Sequence, residues 1–81
     1  MIHELKTERE YFEAIVRGDK TFEVRENDRQ FKVNDELLLK EISLSCSGYT
    51  GRVLHRRISY ILPGGSFGID ENYVVMGLQK I

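Results

Sequence analysis

The sequence predicts a small mixed α+β domain, with about five strands and one amphipathic helix curling into a β-barrel. Three observations carry this prediction. Helical periodicity occurs in one stretch, residues 7–17. The runs rich in β-branched and large apolar residues are short and are separated by polar or glycine-bearing turns. No crossover helix recurs between those runs, which argues against a doubly wound parallel sheet.

Ile2 to Leu5 alternates weakly and predicts a short opening strand. Thr7 and Glu10 then form a Thr-x-x-Glu capping box, which predicts a helix beginning there. Through Arg17 the apolar residues Tyr11, Phe12, Ile15 and Val16 form one stripe, and Glu8, Arg9, Glu13 and Arg17 form the other. Gly18 supplies the stop.

In the next segment Phe22 and Val24 share one parity while Thr21, Glu23 and Arg25 share the other, which predicts a strand with its apolar side toward the core. Glu26 to Arg29 reads as a polar turn and Val33-Asn34-Asp35 as another, leading into a buried strand over Glu36 to Ile42. Ser43 to Gly51 is small, polar and glycine-bearing, and predicts a loop. Arg52 to Leu62 is the longest predicted strand, and its mixed faces suit a curved barrel. Pro63-Gly64-Gly65 ends it. Ser66 to Asn72 then reads as a surface loop carrying Phe67 and Ile69, and Tyr73 to Gln79 as the last strand. The predicted order is β-α-β-β-β-β.

The 81 residues form one domain, residues 1–81. A chain of this size buries only about 60% of the surface its unfolded form exposes. With 41% hydrophobic and 31% charged residues the composition is that of a soluble globular protein. The lone Cys46 excludes an intramolecular disulfide. Residues 1–6 lack the apolar run of a signal peptide, and no stretch is apolar for the roughly 18 residues of a spanning helix. A cytoplasmic protein without membrane contact is expected.

Twelve basic against thirteen acidic side chains leave a formal net charge of -1, so no global field draws the protein to phosphate backbones. Any nucleic-acid contact must be local. The basic cluster Arg52, Arg56 and Arg57 is explained as well by a solvated strand face as by an RNA groove. His3, His55 and Cys46 lack metal-ligand spacing and the two histidines read as unrelated surface residues, so neither a metal nor a cofactor is expected. Gly64-Gly65-Ser66 lacks the ending of a phosphate loop and reads as a turn.

Gly18-Asp19-Lys20-Thr21-Phe22-Glu23-Val24-Arg25 gathers a lysine, a carboxylate and a guanidinium within one turn and the start of a strand. Two readings are open on physical grounds: a solvated face on which Glu23 and Arg25 pair, or a functional site. The segment is similar to the Gly-x-Lys-x-x-Glu-x-Arg signature of ASCH domains, a branch of the PUA-like superfamily. All four signature positions match. Further resemblance lies in His3-x-Leu-Lys6, the Tyr11-Phe12 helix, Arg25-Glu26-Asn27-Asp28-Arg29, Tyr49-Thr50-Gly51-Arg52, Gly64-Gly65 with Phe67-Gly68, and Tyr73-Val74-Val75.

The resemblance implies a PUA-like barrel with the helix packed at one opening, and between them a cleft that receives RNA, a nucleotide or a nucleoside. It implies a ligand-binding set of Lys20, Thr21, Glu23, Arg25, Lys6, Asn27, Arg29 and Tyr49. Lys and Arg suit phosphates and base edges, and Glu accepts from an exocyclic amine. Tyr11, Tyr49, Tyr60 and Phe67 are aromatic surfaces for stacking, with a core role favoured for Tyr11 and Tyr60.

Some ASCH proteins are amidohydrolases of N4-acetylcytidine, using the signature lysine, a threonine three residues later and a glutamate on a later strand. Here Glu23 occupies the threonine's place, Thr21 stands one residue after the lysine, and the later glutamate is Glu41, Glu71 or neither. If the protein is an enzyme, Lys20 and Glu23 are the catalytic pair, with Glu23 activating water. A third alternative is a protein-interaction adaptor acting through the Phe67 and Ile69 loop.

Overall fold

A computed structural model describes residues 1–43 and 48–81. The elements are β1 (Ile2–Glu8), α1 (Arg9–Arg17), β2 (Phe22–Glu26), β3 (Glu36–Ser43), β4 (Gly48–Pro63) and β5 (Tyr73–Lys80). This is the predicted order. Cys46 and the centre of the predicted 43–51 loop lie outside the described residues.

The five strands form one curled sheet in the order β1-β3-β4-β5-β2. β1 runs parallel to β3, and the other three pairings are antiparallel. β1 and β2 are therefore the two edges of a half-barrel. The core fills its inner face with Leu5, Leu37, Leu39, Ile58, Val74 and Met76, joined by Ile15 from the helix and Phe31 from the β2–β3 connection.

Alternation sets β1. His3, Leu5 and Thr7 are buried in turn while the residues between them are exposed, and the β3 register runs on to Glu8↔Ile42. That pairing overrides the capping box: Thr7 is buried in the strand, α1 starts at Arg9, and its N-cap Glu8 makes no side-chain cap bond. Only Phe12 and Ile15 of the helical stripe are buried; the helix meets the sheet chiefly along β1 and β3, with Phe12 and Glu13 also touching Arg52 of β4. Tyr11 and Val16 remain 47% and 44% exposed. At the other end Gly18 takes φ 84°, a conformation suited to glycine, and its amide reaches the Ile15 carbonyl at 3.1 Å.

β2 keeps the predicted parity but inverts the expected faces. Glu23 and Arg25 point inward, with Glu23 3% exposed, whereas Phe22 and Val24 are 43% and 49% exposed. Polar residues can line the inner face at this end because the Glu23 carboxylate meets two cations there.

β4 begins at Gly48, so Gly48 to Gly51 extend the strand and are not loop. Register shifts between Lys40 and Ile42 and between Ile58 and Tyr60 let the chain change faces along its length. The second shift leaves Ser59 unmatched and turns Tyr60 outward, 65% exposed instead of in the core. His3 also departs from the expected surface position: it is 5% exposed, lies edge-on to Phe31 and donates from Nε2 to Asp35 Oδ2 at 2.9 Å. Phe67 is 87% exposed, while Ile69 is half-buried.

Candidate functional site

A cleft of about 690 Å³ opens between the start of α1, the β1 edge and the β2 edge. Its walls include Tyr11, Ala14, Phe22 and Val24, and Lys6, Thr7, Lys20, Glu23 and Arg25 bring polar groups to it. Asp19 and Glu8 also line it, Asp19 paired with Arg17 at 3.0 Å.

Lys20 arrives from the turn after Gly18, which closes through the Lys20 amide on the Ala14 carbonyl at 3.0 Å. The Lys20 ammonium donates to the Phe22 carbonyl at 2.7 Å and to Glu23 Oε1. It stands 5.7 Å from the centre of the Tyr11 ring and 5.1 Å from that of Phe22, within cation–π range of both. Arg25 donates from Nε to Glu23 Oε2 at 2.8 Å. One buried carboxylate thus receives a different cation on each oxygen.

The same guanidinium joins the two sheet edges. Arg25 Nη2 donates to the Lys6 carbonyl at 2.8 Å and to Thr7 Oγ1 at 3.3 Å. One turn further, Arg29 Nη1 donates to the Glu4 carbonyl at 2.8 Å. Strand carbonyls at the β1 edge are thereby satisfied by side chains in place of a backbone ladder.

Both cations keep N–H donors for a ligand. Lys20 has three N–H groups, two of them engaged, and Arg25 has five, of which Nη1 meets no acceptor among the described residues. Uncommitted donors beside two aromatic walls suit a flat ligand rich in acceptors, such as a carbonyl-bearing heteroaromatic ring.

Of the eight residues implied as ligand-binding, Lys6, Lys20, Glu23 and Arg25 line this cleft. Thr21 does not; its carbonyl accepts from the Leu78 amide and its side chain is exposed. Asn27 serves the β2–β3 turn, with Oδ1 accepting from the Phe31 amide at 3.0 Å. Arg29 lines a smaller depression of about 190 Å³ along the β1–β2 seam, with Leu5 and Phe31. Tyr49 is on the outer face of the sheet, its ring centre 6.0 Å from Lys6 Nζ. Thr7 and Phe22 belong to the cleft and were absent from the expected set. The signal for Thr7 was the alternation of His3, Leu5 and Thr7.

A second polar cluster lies behind the helix. Glu41 is 2% exposed; its Oε1 accepts from Thr50 Oγ1 at 2.6 Å, and its Oε2 has no hydrogen-bond partner among the described residues. Arg52 Nη1 is 3.7 Å from that oxygen but bonds Glu13, and the guanidinium stacks 4.9 Å above the Phe12 ring. Glu71 is exposed in the β4–β5 loop. Among the described residues no three His, Cys, Asp or Glu cluster as metal ligands, and no helix is long and apolar enough to cross a membrane.

Residues 2–78 match a family described as a domain of unknown function, DUF3850. The chain belongs to this DUF3850 family. It is also 36% identical over 58 residues to an uncharacterised 12.9 kDa protein in the GpA 3′ region of Escherichia phage P2. That alignment covers 72% of the chain and 51% of the phage protein, so the chain spans about half the length of this relative.

Proposed function

We propose that this DUF3850 domain is a PUA-like, ASCH-related binding module whose cleft takes RNA or a nucleotide through its base. The observation that carries the reading is the buried Glu23 carboxylate held between Lys20 and Arg25, with uncommitted N–H donors of both cations beside Tyr11 and Phe22. A base lies against the aromatic walls, and its carbonyl oxygens accept from Lys20 and Arg25. Glu23 fixes both cations before the ligand arrives, which lowers the ordering cost of binding. The half-barrel with its helix over one end is compatible with a PUA-like barrel closed at the β1–β2 seam by Arg25 and Arg29.

Binding is favoured over hydrolysis of an acylated nucleoside by the commitments of the same groups. Lys20 is tied to Glu23 and the Phe22 carbonyl, and both Glu23 oxygens face cations, so neither group is free to act as a base.

The test is a titration of the purified protein with the four ribonucleoside monophosphates and short single-stranded RNAs at low salt. Saturable binding that is weakened at least tenfold by Lys20→Ala supports the reading. Absence of binding across the panel, or binding indifferent to Lys20→Ala, overturns it. Product formed from N4-acetylcytidine would replace it with the hydrolytic one.

A further inference from the structure

Lys6 belongs to two places at once. It lines the cleft from the β1 edge, and its ammonium stands 6.0 Å from the centre of the Tyr49 ring on the outer face of the sheet. Lys40 approaches the same ring at 5.6 Å. The register explains the cluster. Lys6 and Lys40 are direct partners in the β1–β3 pair, and Tyr49 is opposite Ile42, two residues further along the same face. Diagonal neighbours on a sheet face lie within reach of long side chains. Val53, the partner of Lys40 on β4, is 51% exposed and Tyr49 57%, so the patch is open.

We infer that Lys6, Lys40 and Tyr49 form a second subsite, which holds the nucleotide next to the one in the cleft as a single RNA strand leaves across the β1 edge. This rests on the cleft reading proposed above. The chemistry fits such a strand: two ammonium groups for backbone phosphates and an exposed phenol ring for a base, adjacent to one another. The path is continuous because Lys6 is shared between cleft and patch. Two carboxylates share this face: Glu8, whose register partner Ile42 also stands opposite Tyr49, and Glu4, which competes directly by pairing with Lys40 on an exposed surface. An incoming phosphate displaces Glu4 at small cost, as exposed ion pairs contribute little.

The experiment compares the affinity of ribonucleoside monophosphates with that of a mixed-sequence ribopentanucleotide, for the intact protein and for Tyr49→Ala, Tyr49→Phe, Lys6→Ala and Glu4→Gln. The pentanucleotide is expected to bind at least tenfold tighter than the best monophosphate, the size of gain that one stacked base gives at about 1–3 kcal/mol. Tyr49→Ala removes that gain and leaves monophosphate affinity unchanged, while Tyr49→Phe retains it. Lys6→Ala flattens the log–log salt dependence of pentanucleotide binding by about 0.7, one phosphate contact. Glu4→Gln strengthens pentanucleotide binding only.

Equal affinity for monophosphate and pentanucleotide, or a length gain indifferent to Tyr49→Ala, overturns the second subsite and leaves the cleft reading standing. No binding of either probe overturns the cleft reading and this inference with it.

Discussion

Arg25 and Glu23 are two residues apart on one strand, and the guanidinium Nε donates to the buried carboxylate at 2.8 Å while Nη2 of the same group reaches the opposite edge of the sheet. One side chain therefore couples the electrostatics of the cleft to the closure of the half-barrel.

Removing the carboxylate leaves two cations facing each other in a site where they are only 17% and 25% exposed. Glu23→Ala is expected to destabilise the protein by about 3 kcal/mol, the scale for breaking a buried ion pair. Lys20→Ala leaves Glu23 with Arg25 and should cost about half as much. Chemical denaturation of the two variants checks the order; equal, negligible shifts would mean a solvated strand face.

Lysine cannot replace Arg25. Its single ammonium cannot serve Glu23 Oε2, the Lys6 carbonyl and Thr7 Oγ1 together from the guanidinium's fork geometry. Arg25→Lys should cost about 1–2 kcal/mol, on the scale of losing one or two hydrogen bonds. Hydrogen exchange should speed up selectively in β1 and β2, the edges that the side chain joins.

The outline of the fold was legible because it depends on local patterns: the helical stripe ending at Gly18, the alternation in β5 and the Pro63-Gly64-Gly65 stop. The pairing of Glu23 with Arg25 was legible because parity alone places both on one face. What parity could not tell was which face is inside. That was settled by Lys20, Arg25 and Glu23 satisfying one another, a tertiary fact that outweighs the preference of Phe22 and Val24 for burial. Thr7 was misread because a capping box is a local signal, whereas the β1–β3 register that claims it comes from residues some thirty-four positions away. The seam was out of reach too: nothing in the spacing of Arg25 and Arg29 reveals that their targets are strand carbonyls at Lys6 and Glu4.

Acid sensitivity should centre on the His3–Asp35 pair. The hydrogen bond from His3, helped by the Lys32 amide and the N-terminal ammonium, holds the Asp35 carboxyl below its ordinary range against the opposing effect of burial. A depressed carboxyl contributes stability that is present above its unfolded value, roughly pH 3.9, and is lost as pH falls through the lower folded value. Melting temperature followed from pH 6 to pH 2 should therefore drop less steeply below about pH 4 in Asp35→Asn than in the parent protein.

Gly64 marks a close approach of the β4–β5 connection to itself. A Cβ there would lie 2.0 Å from the Asp70 carbonyl oxygen and 2.4 Å from that of Tyr73, both backbone atoms. Gly64→Ala should destabilise by about 2–3 kcal/mol or more, the cost of overpacking where the backbone must move. Gly68→Ala, open in space but at φ 78°, should cost only about 1–2 kcal/mol. Parallel melts of the two variants check the order.

The most direct measurement is a crystal structure of the protein soaked with a mixture of nucleosides and nucleoside monophosphates. A base is expected against Tyr11 and Phe22, with its carbonyl oxygens within about 3 Å of Lys20 Nζ or Arg25 Nη1, and with Glu23 still paired to both cations. A cleft without ligand density at saturating concentration, or a ligand bound on another face, would contradict the cleft reading.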